Sequence, residues 1–283
     1  METNRLTFLF SDASYDEAKT VIFGAPFDGT TSFRPGTRFA PNVMRNESYG
    51  LEVYSPYQDR EITEFKICDT GDLYPTIGNV AAMIDSIEAF ATKVLNDGKM
   101  PVMIGGEHSL TVGTIRALFK KYPDLHILHF DAHTDLRDIF FDHKLSHANV
   151  FYRAWEDLGD NRIYQFGIRS GDKAEFEWAK KHVIQTKYNT NGLAEAIEKI
   201  KDKPVYISID YDVMDPSVFP GTGTPEPGGI SFHELLEAIL KFKGLNNVVG
   251  ADVMELAPHY DPTGASTAVA CKVLRELLIA IAK

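Results

Sequence analysis

Apolar residues along this chain follow two rhythms. Eight short stretches, 20–24, 65–69, 101–104, 126–131, 162–168, 182–186, 205–210 and 248–254, are rich in Val, Ile and Phe. Most are continuous apolar runs rather than alternating ones, the pattern of strands buried on both faces of a parallel sheet. Between them the period lengthens. Over 77–96 apolar residues recur at Ile77, Val80, Ala81, Ile84, Ile87, Ala91, Val94 and Leu95, a helical stripe, and Gly98 follows as a stop. The stretches 110–121 and 232–242 read the same way, and the C-terminal stripe runs through Val269, Val273, Leu274, Leu277, Leu278 and Ile281. Strand–helix alternation carried to the end predicts one α/β domain, residues 1–283, with a wound parallel sheet.

Two irregular segments interrupt this rhythm. The segment 214–229 holds four prolines and four glycines in sixteen residues, and 134–147 is charged. Structureless loops of that length in a domain are usually functional. Both are expected at C-terminal strand ends, where open α/β sheets bind ligands.

The chemistry concentrates at the same strand ends. Three clusters, Gly-Gly-Glu-His ending at His108, Asp-Ala-His-Thr-Asp at 131–135 and Ser-Ile-Asp-Tyr-Asp at 208–212, together offer His108, Asp131, His133, Asp135, Asp210 and Asp212. In extended backbone, residues i, i+2 and i+4 point to one side. Asp131, His133 and Asp135 have that spacing, as do Asp210 and Asp212, so each set is expected to converge as a strand end. Four bare carboxylates gathered at one sheet edge would repel one another; two divalent cations would balance them. No sulfur is offered and carboxylate outnumbers imidazole two to one. Such donors suit Mn²⁺ before Mg²⁺, with Co²⁺ or Zn²⁺ as substitutes. A metal pair of this kind generates hydroxide at neutral pH, the usual basis of two-metal hydrolysis.

Composition adds limits. At 283 residues and 44% hydrophobic content the chain has enough apolar material for a sizeable core. No apolar run approaches the roughly 18–20 residues of a membrane span, and the start, Met-Glu-Thr-Asn-Arg-Leu, lacks a signal-peptide layout. The two cysteines, Cys68 and Cys271, read as buried thiols of a reducing cytoplasm. A net charge of −11 disfavours nucleic acid and anionic membrane as partners and mildly favours a cationic substrate. His126 and His129 read as packed strand residues, and His143, His182, His233 and His259 have no partner visible in the sequence.

Gly-Gly-Glu-His-Ser (105–109), Asp-Ala-His-Thr-Asp (131–135) and Ser-Ile-Asp-Tyr-Asp-Val-Met-Asp-Pro (208–216), continued by Pro-Gly-Thr-Gly-Thr-Pro-Glu-Pro-Gly-Gly (220–229), resemble the three signatures of the ureohydrolase (arginase/agmatinase) family. Phe33-Arg-Pro-Gly-Thr-Arg and Glu255-Leu-Ala-Pro-His-Tyr-Asp are agmatinase-like phrases. The resemblance implies a three-layer αβα domain, arginase/deacetylase-like, with a mostly parallel eight-stranded sheet. It implies one Mn²⁺ on His108, Asp131, Asp135 and Asp210 and a second on Asp131, His133, Asp210 and Asp212. It implies hydrolysis of agmatine to putrescine and urea through a hydroxide bridging the metals. In the same way Glu255 is implied to grip the guanidinium, His147 to shuttle protons to the leaving amine, and Thr224 to lie near the guanidinium. A guanidinium stays cationic to about pH 12 and is a poor electrophile, so it needs such help.

Arginases hold the amino-acid head of their substrate with an Asn and a Ser where this chain has Arg137 and His143, which argues against arginine. Arg137 would also favour a carboxylate tail, as in guanidinobutyrate, unless Asp138 or Asp142 pairs with it. A zinc deacetylase of this fold would need an adjacent His-His pair, which the chain lacks, and a non-catalytic regulator on the scaffold would normally have lost a ligand or the shuttle. The family further implies a homo-oligomer, trimer or hexamer, for which the aromatic stretch 49–57, readable as interface or as core, is indirect support.

Overall fold

A computed structural model of the chain describes residues 6–282. Residues 1–5 and 283, which include most of the N-terminal stretch considered for a leader and both ends of the predicted 1–283 domain, lie outside the described residues. In chain order the elements are β1 (Thr20–Ala25), α1 (Ala40–Ser48), the short pair β2 (Tyr54–Ser55) and β3 (Arg60–Glu61), β4 (Ile67–Asp72), α2 (Val80–Asn96), β5 (Met100–Gly105) and α3 (Thr111–Lys121). They continue with β6 (His126–Phe130), α4 (Val150–Leu158), β7 (Ile163–Ile168), α5 (Lys173–His182), β8 (Ile184–Lys187), α6 (Leu193–Ile200), β9 (Val205–Asp210), α7 (Phe232–Lys241), β10 (Val248–Met254) and α8 (Ala265–Ile281).

Eight strands form one sheet in the order β4-β1-β5-β10-β9-β6-β7-β8, and every neighbouring pair is parallel. The apolar runs explain why. Every residue of β1, β5, β7, β9 and β10 is buried, which requires cover on both faces. One layer is α1, α6, α7 and α8, whose apolar stripes join strand residues such as Ile22, Val102, Ile207 and Val253 in one core. The other is α2, α3, α4 and α5, packed through Ile84, Leu118, Phe151 and Ala179. Along α8 the predicted stripe is the inward face: Val273, Leu274, Leu277, Leu278 and Ile281 are all buried, each contributing about 1.5–3 kcal/mol of apolar burial.

The boundaries differ from the sequence reading where local chemistry overrides apolar rhythm. Ile77 is fully exposed and stands outside α2, because the helix starts after Asn79, whose side chain accepts the Ala82 N–H at 3.0 Å. The predicted strand 182–186 becomes β8, starting two residues later and ending one later, with His182 closing α5. β8 is an edge strand with no fully buried residue, so its apolar signal is weak. The helices α1, α4, α5 and α6, of eight to ten residues each, are not anticipated by the apolar rhythm, whereas α7, also of ten residues, is.

Sheet order decides what meets what. The chain lays down β5 and β6 consecutively, yet β9 and β10, made much later, sit between them. The C-terminal ends of β5, β10, β9 and β6 are therefore four adjacent strand ends at the centre of the sheet. Both irregular segments leave this edge and are pinned there. Arg169, just past β7, donates to the carbonyls of Asp212 (2.7 Å), Val213 (3.1 Å) and Glu226 (2.7 Å), tying down the 214–229 loop. Glu175 in the first turn of α5 accepts from Thr134 Oγ1, the Leu136 N–H (3.1 Å) and Arg137 Nε (3.2 Å), anchoring the start of the 134–147 segment.

Candidate metal centre

Each of the three clusters reaches the sheet edge by its own local device. After β5 the chain passes Gly105–Gly106 so closely to its neighbours that a Cβ on Gly106 would lie 1.9 Å from the Phe27 carbonyl oxygen. That approach swings Glu107 and His108 into the interior, where both are buried. His108 is held by Ser208 Oγ at 2.9 Å from Nε2, which aims Nδ1 the other way. There Nδ1 meets Asp131 at 3.2 Å, Asp135 at 3.4 Å and Asp210 at 3.2 Å.

The second and third clusters correct the expectation of extended alternation. β6 ends at Phe130. Beyond it Asp131 Oδ1 accepts the His133 N–H at 2.5 Å, and Asp135 sits at φ 50°, so the three side chains converge through a turn. Likewise Asp210 closes β9, and its Oδ1 accepts the Asp212 N–H at 2.8 Å, opening a 3₁₀ turn over Tyr211–Val213. Short carboxylates that bond their own backbone two residues on favour such turns; the spacing was right but its backbone was not a strand. His133 Nδ1 then faces Asp212 at 3.0 Å and Asp131 at 3.5 Å. Two imidazoles thus look into the same group of four buried carboxylates from two sides, with Asp131 shared between them.

Without a cation this group is electrostatically frustrated. Burial alone would keep His108 neutral, but Asp131 and Asp210 outweigh it and raise its pKa well above the ordinary imidazole value. Burial and the neighbouring Asp212 and Asp131 push Asp210 up, and burial with Asp131 does the same to Asp135. Asp131 goes the other way: burial opposes its charge, but hydrogen bonds from His108 and His129 hold it well below the usual carboxylate range. The buried His108 Nδ1 has no hydrogen bond of proper geometry among the described residues, although three carboxylates surround it. An imidazole lone pair aimed at clustered oxygens is what a divalent ion would satisfy, so the donor set fits hard or borderline cations.

Around the cluster lies a cavity of about 310 Å³ lined by His108, His133, Asp135, Asp210, His147, Thr224 and Glu255, and also by Arg137, Phe140, Asp172 and Glu175. Every predicted site residue except Asp131 and Asp212 lines it, and those two are buried beneath. Glu255 follows β10 at φ 68°, with Oε1 accepting the His108 N–H at 2.7 Å. Burial and the nearby Glu107 raise its pKa to about 8. His147 opens a 3₁₀ turn before α4; burial and the neighbouring His133 lower it to about 4, so its ring is neutral at rest. Thr224 Oγ1 lies 3.3 Å from Asp212 Oδ2.

Arg137 is paired, though not with the residues its sequence neighbourhood suggested. Asp138 pairs with Arg153, while Arg137 bonds Glu175 at 3.2 Å and Asp172 at 3.3 Å and lies 4.7 Å over the Phe140 ring. His143 lines a separate cavity beside Phe141. His129, read as a packed residue, is packed and more. It is fully buried, stacks on Phe151 at 3.6 Å and places Nε2 2.8 Å from Asp131 Oδ2. Gln165 Nε2 stands 3.0 Å from its Nδ1 and donates there, so Nε2 carries the proton and supports Asp131. The two-residue spacing of His129 and Asp131 was the available signal. Glu107 has no signal of its own in the sequence, since it sits beside a proposed ligand in a motif whose metal chemistry the histidine carries.

Known proteins extend this picture. The arginase family profile matches residues 18–280. An agmatinase of Bacillus anthracis is 46% identical over 275 residues, covering 96% of this chain and 95% of that protein. A guanidinobutyrase of Pseudomonas aeruginosa is 34% identical, with 97% and 90% covered. The crystal structure of the agmatine ureohydrolase of Thermoplasma volcanium superposes with a TM-score of 0.89 at 36% identity, covering 98% of this chain and 94% of that one. The chain belongs to the arginase family and is a ureohydrolase, most like the agmatinases within it.

Proposed function

We propose that this chain hydrolyses the guanidinium of agmatine to urea and putrescine with two Mn²⁺ per chain. His108, Asp131, Asp135 and Asp210 hold one ion, and Asp131, His133, Asp210 and Asp212 the other. The observation that carries this reading is the pair of imidazole Nδ1 atoms facing four buried carboxylates from two sides, 3.0–3.5 Å away, at the floor of the cavity that Glu255 and His147 line. When bound, the ions neutralise the carboxylates and activate water at neutral pH.

The chain's own groups supply the rest. Glu255 uses Oε1 to hold the His108 N–H, which leaves Oε2 for the substrate; a planar cation paired there is fixed in orientation. Its pKa near 8 falls once a cation pairs with it, so binding itself completes the charge. Thr224, at the edge of the same floor, contacts the guanidinium. His147 is neutral at rest and can accept a proton from the attacking water, then donate it to the departing amine nitrogen. The cavity lining also carries Asp172 and Glu175 against the single charge of Arg137, and both pair with it. Arg137 is thereby less available to a substrate carboxylate, and the surplus acid favours an ammonium tail.

The runner-up is guanidinobutyrate, supported by the relative named for it; arginine ranks lower. A non-catalytic metal-binding regulator is disfavoured because the proposed ligand set and shuttle are all present. The reading extends to one ureohydrolase unit over 1–283 acting as a cytoplasmic homo-oligomer, trimer or hexamer. Among the described residues no helix is long and apolar enough to cross a membrane, and both cysteines are buried. Within the aromatic stretch 49–57, Tyr54 and Tyr57 are exposed, which supports its reading as interface rather than core.

The test is urea release with Mn²⁺ from agmatine, guanidinobutyrate and arginine, each with a chelated control. Agmatine is expected to be turned over fastest and only with metal. A rate at least tenfold faster from guanidinobutyrate would replace the substrate, and no urea from any guanidine would overturn the enzymatic reading.

A further inference from the structure

Glu107 is a buried carboxylate that the reaction above does not use. It lies one residue before His108, but it faces away from the carboxylate cluster, towards the loop that follows β1. Its Oε2 accepts the Thr30 N–H at 2.7 Å, its Oε1 accepts the Thr30 hydroxyl at 2.6 Å, and Ser109 Oγ donates to Oε1 as well. The loop runs on to His147. Thr30 Oγ1 accepts the His147 backbone N–H at 3.1 Å and lies 3.5 Å from His147 Nδ1, while Ser32 Oγ stands 3.4 Å from Nε2 at the exposed side of the ring. Phe140 meets the ring edge-on at 5.5 Å.

A hydroxyl has one hydrogen to give. Glu107, as a carboxylate surrounded by donors, takes the hydrogen of Thr30. The oxygen is left with lone pairs only, directed at the His147 backbone N–H and at Nδ1. A ring nitrogen facing a lone pair is favoured in its protonated form, and the other nitrogen then carries the free electron pair. We propose that Glu107 and Thr30 are positioning residues that fix His147 as the Nδ1–H tautomer, so that Nε2 is the atom that accepts and returns the proton. This rests on the reading of His147 as the proton shuttle. No proton leaves Glu107 or Thr30 in the cycle; they orient the ring and select its tautomer. The 3.5 Å separation at Nδ1 is the kind of contact that tightens when substrate fills a site.

Thr30→Val removes the hydroxyl at nearly constant volume, Thr30→Ser keeps it, and Glu107→Gln offers the hydroxyl a donor in place of an acceptor. Each is assayed for urea release with Mn²⁺ beside wild type, His147→Asn and the Thr30→Val/His147→Asn double variant. Bound metal is measured by elemental analysis and folding by Tm. General acid–base catalysis contributes about 10²–10⁴-fold, so a mispositioned shuttle is expected to lower kcat by about tenfold to a hundredfold in Thr30→Val and Glu107→Gln. KM should stay within about twofold and metal content should not change. Thr30→Ser should restore most of kcat. In the His147→Asn background, Thr30→Val should cost nothing further, because groups acting through one residue are non-additive.

A Thr30→Val kcat within about twofold of wild type would overturn the relay. So would a Thr30→Ser as impaired as Thr30→Val, or an equal Thr30→Val loss with and without His147. If Thr30→Val does not fold, Glu107→Gln decides alone: wild-type kcat with full metal content sinks the proposal. The two readings separate through His147→Asn. If that variant keeps wild-type kcat, the shuttle assignment falls and the relay with it; if it is crippled while the Thr30 and Glu107 variants are not, only the relay falls.

Discussion

Asp135 and Glu255 share a left-handed backbone, φ 50° and 68°, that residues with a Cβ rarely adopt and that costs about 1–3 kcal/mol each. Both line the cavity, and in both the unusual backbone turns a carboxylate inward where an extended chain would carry it past. The spacing of Asp131, His133 and Asp135 pointed to convergence, but the means of convergence is a turn, and one-dimensional spacing does not distinguish the two. Histidines show the same limit. His126 and His129 lie on one strand, and sequence alone assigned both to packing; only the fold puts His129 against Asp131 and leaves His126 at the far end beside Asp124. His126 carries its own consequence. Burial lowers its pKa to about 4, below the ordinary imidazole value near 6.5. As pH falls from about 6.5 to about 4, the unfolded chain takes up a proton that the native chain refuses, so stability is lost across that window and levels off below it. Urea unfolding at pH 7, 6 and 5 should therefore show wild type losing more stability on acidification than His126→Asn. Parallel losses in the two proteins would sink this assignment.

Among the elements, the buried central strands were legible because covering both faces demands unbroken apolar runs, and the long helices because their stripes repeat over several turns. The edge strand β8 was legible with displaced bounds, and the helices α1, α4, α5 and α6 were not, since short elements draw much of their definition from tertiary contacts. α1 illustrates this. Its Arg45 is buried and grips Asp69 of β4 with two bonds, 2.7 and 3.0 Å, and Asp72 with a third. Asp69 also accepts the Phe8 N–H at 2.8 Å. The clamp joins helix, edge strand and N-terminal segment, and the carboxylates raise the Arg45 pKa although burial opposes its charge. Removing one partner of a buried ion pair strands the other, at about 3–5 kcal/mol. Arg45→Met should lower unfolding stability by about that amount in urea titrations, while urea release from the folded fraction stays near wild type. A change below about 1 kcal/mol would show the clamp to be dispensable.

For the whole molecule, the decisive fact is that β9 and β10 enter between β5 and β6. Strands about 4.8 Å apart then bring together residues separated by up to 147 positions, as in the His108–Glu255 contact. The resulting cluster of buried carboxylates implies a metal-dependent stability. A ligand bound at a hundred times its Kd adds about 2.7 kcal/mol, which in a chain this size raises Tm by about 4–5 °C. Thermal melts of chelated protein should rise by that much when Mn²⁺ is restored; an unchanged Tm would contradict the proposed ligand set. By itself the sequence determined the fold class, the three donor clusters and the family, because apolar period and motif spacing are local properties that survive without a fold. Only the tertiary structure decided which strands neighbour one another, that Arg137 is held by Glu175 and Asp172, and that Glu107 reaches His147 through Thr30. Those contacts join residues 35 or more positions apart, or pass through a loop from another strand, and the sheet order that closes such distances is written in no single stretch of the chain.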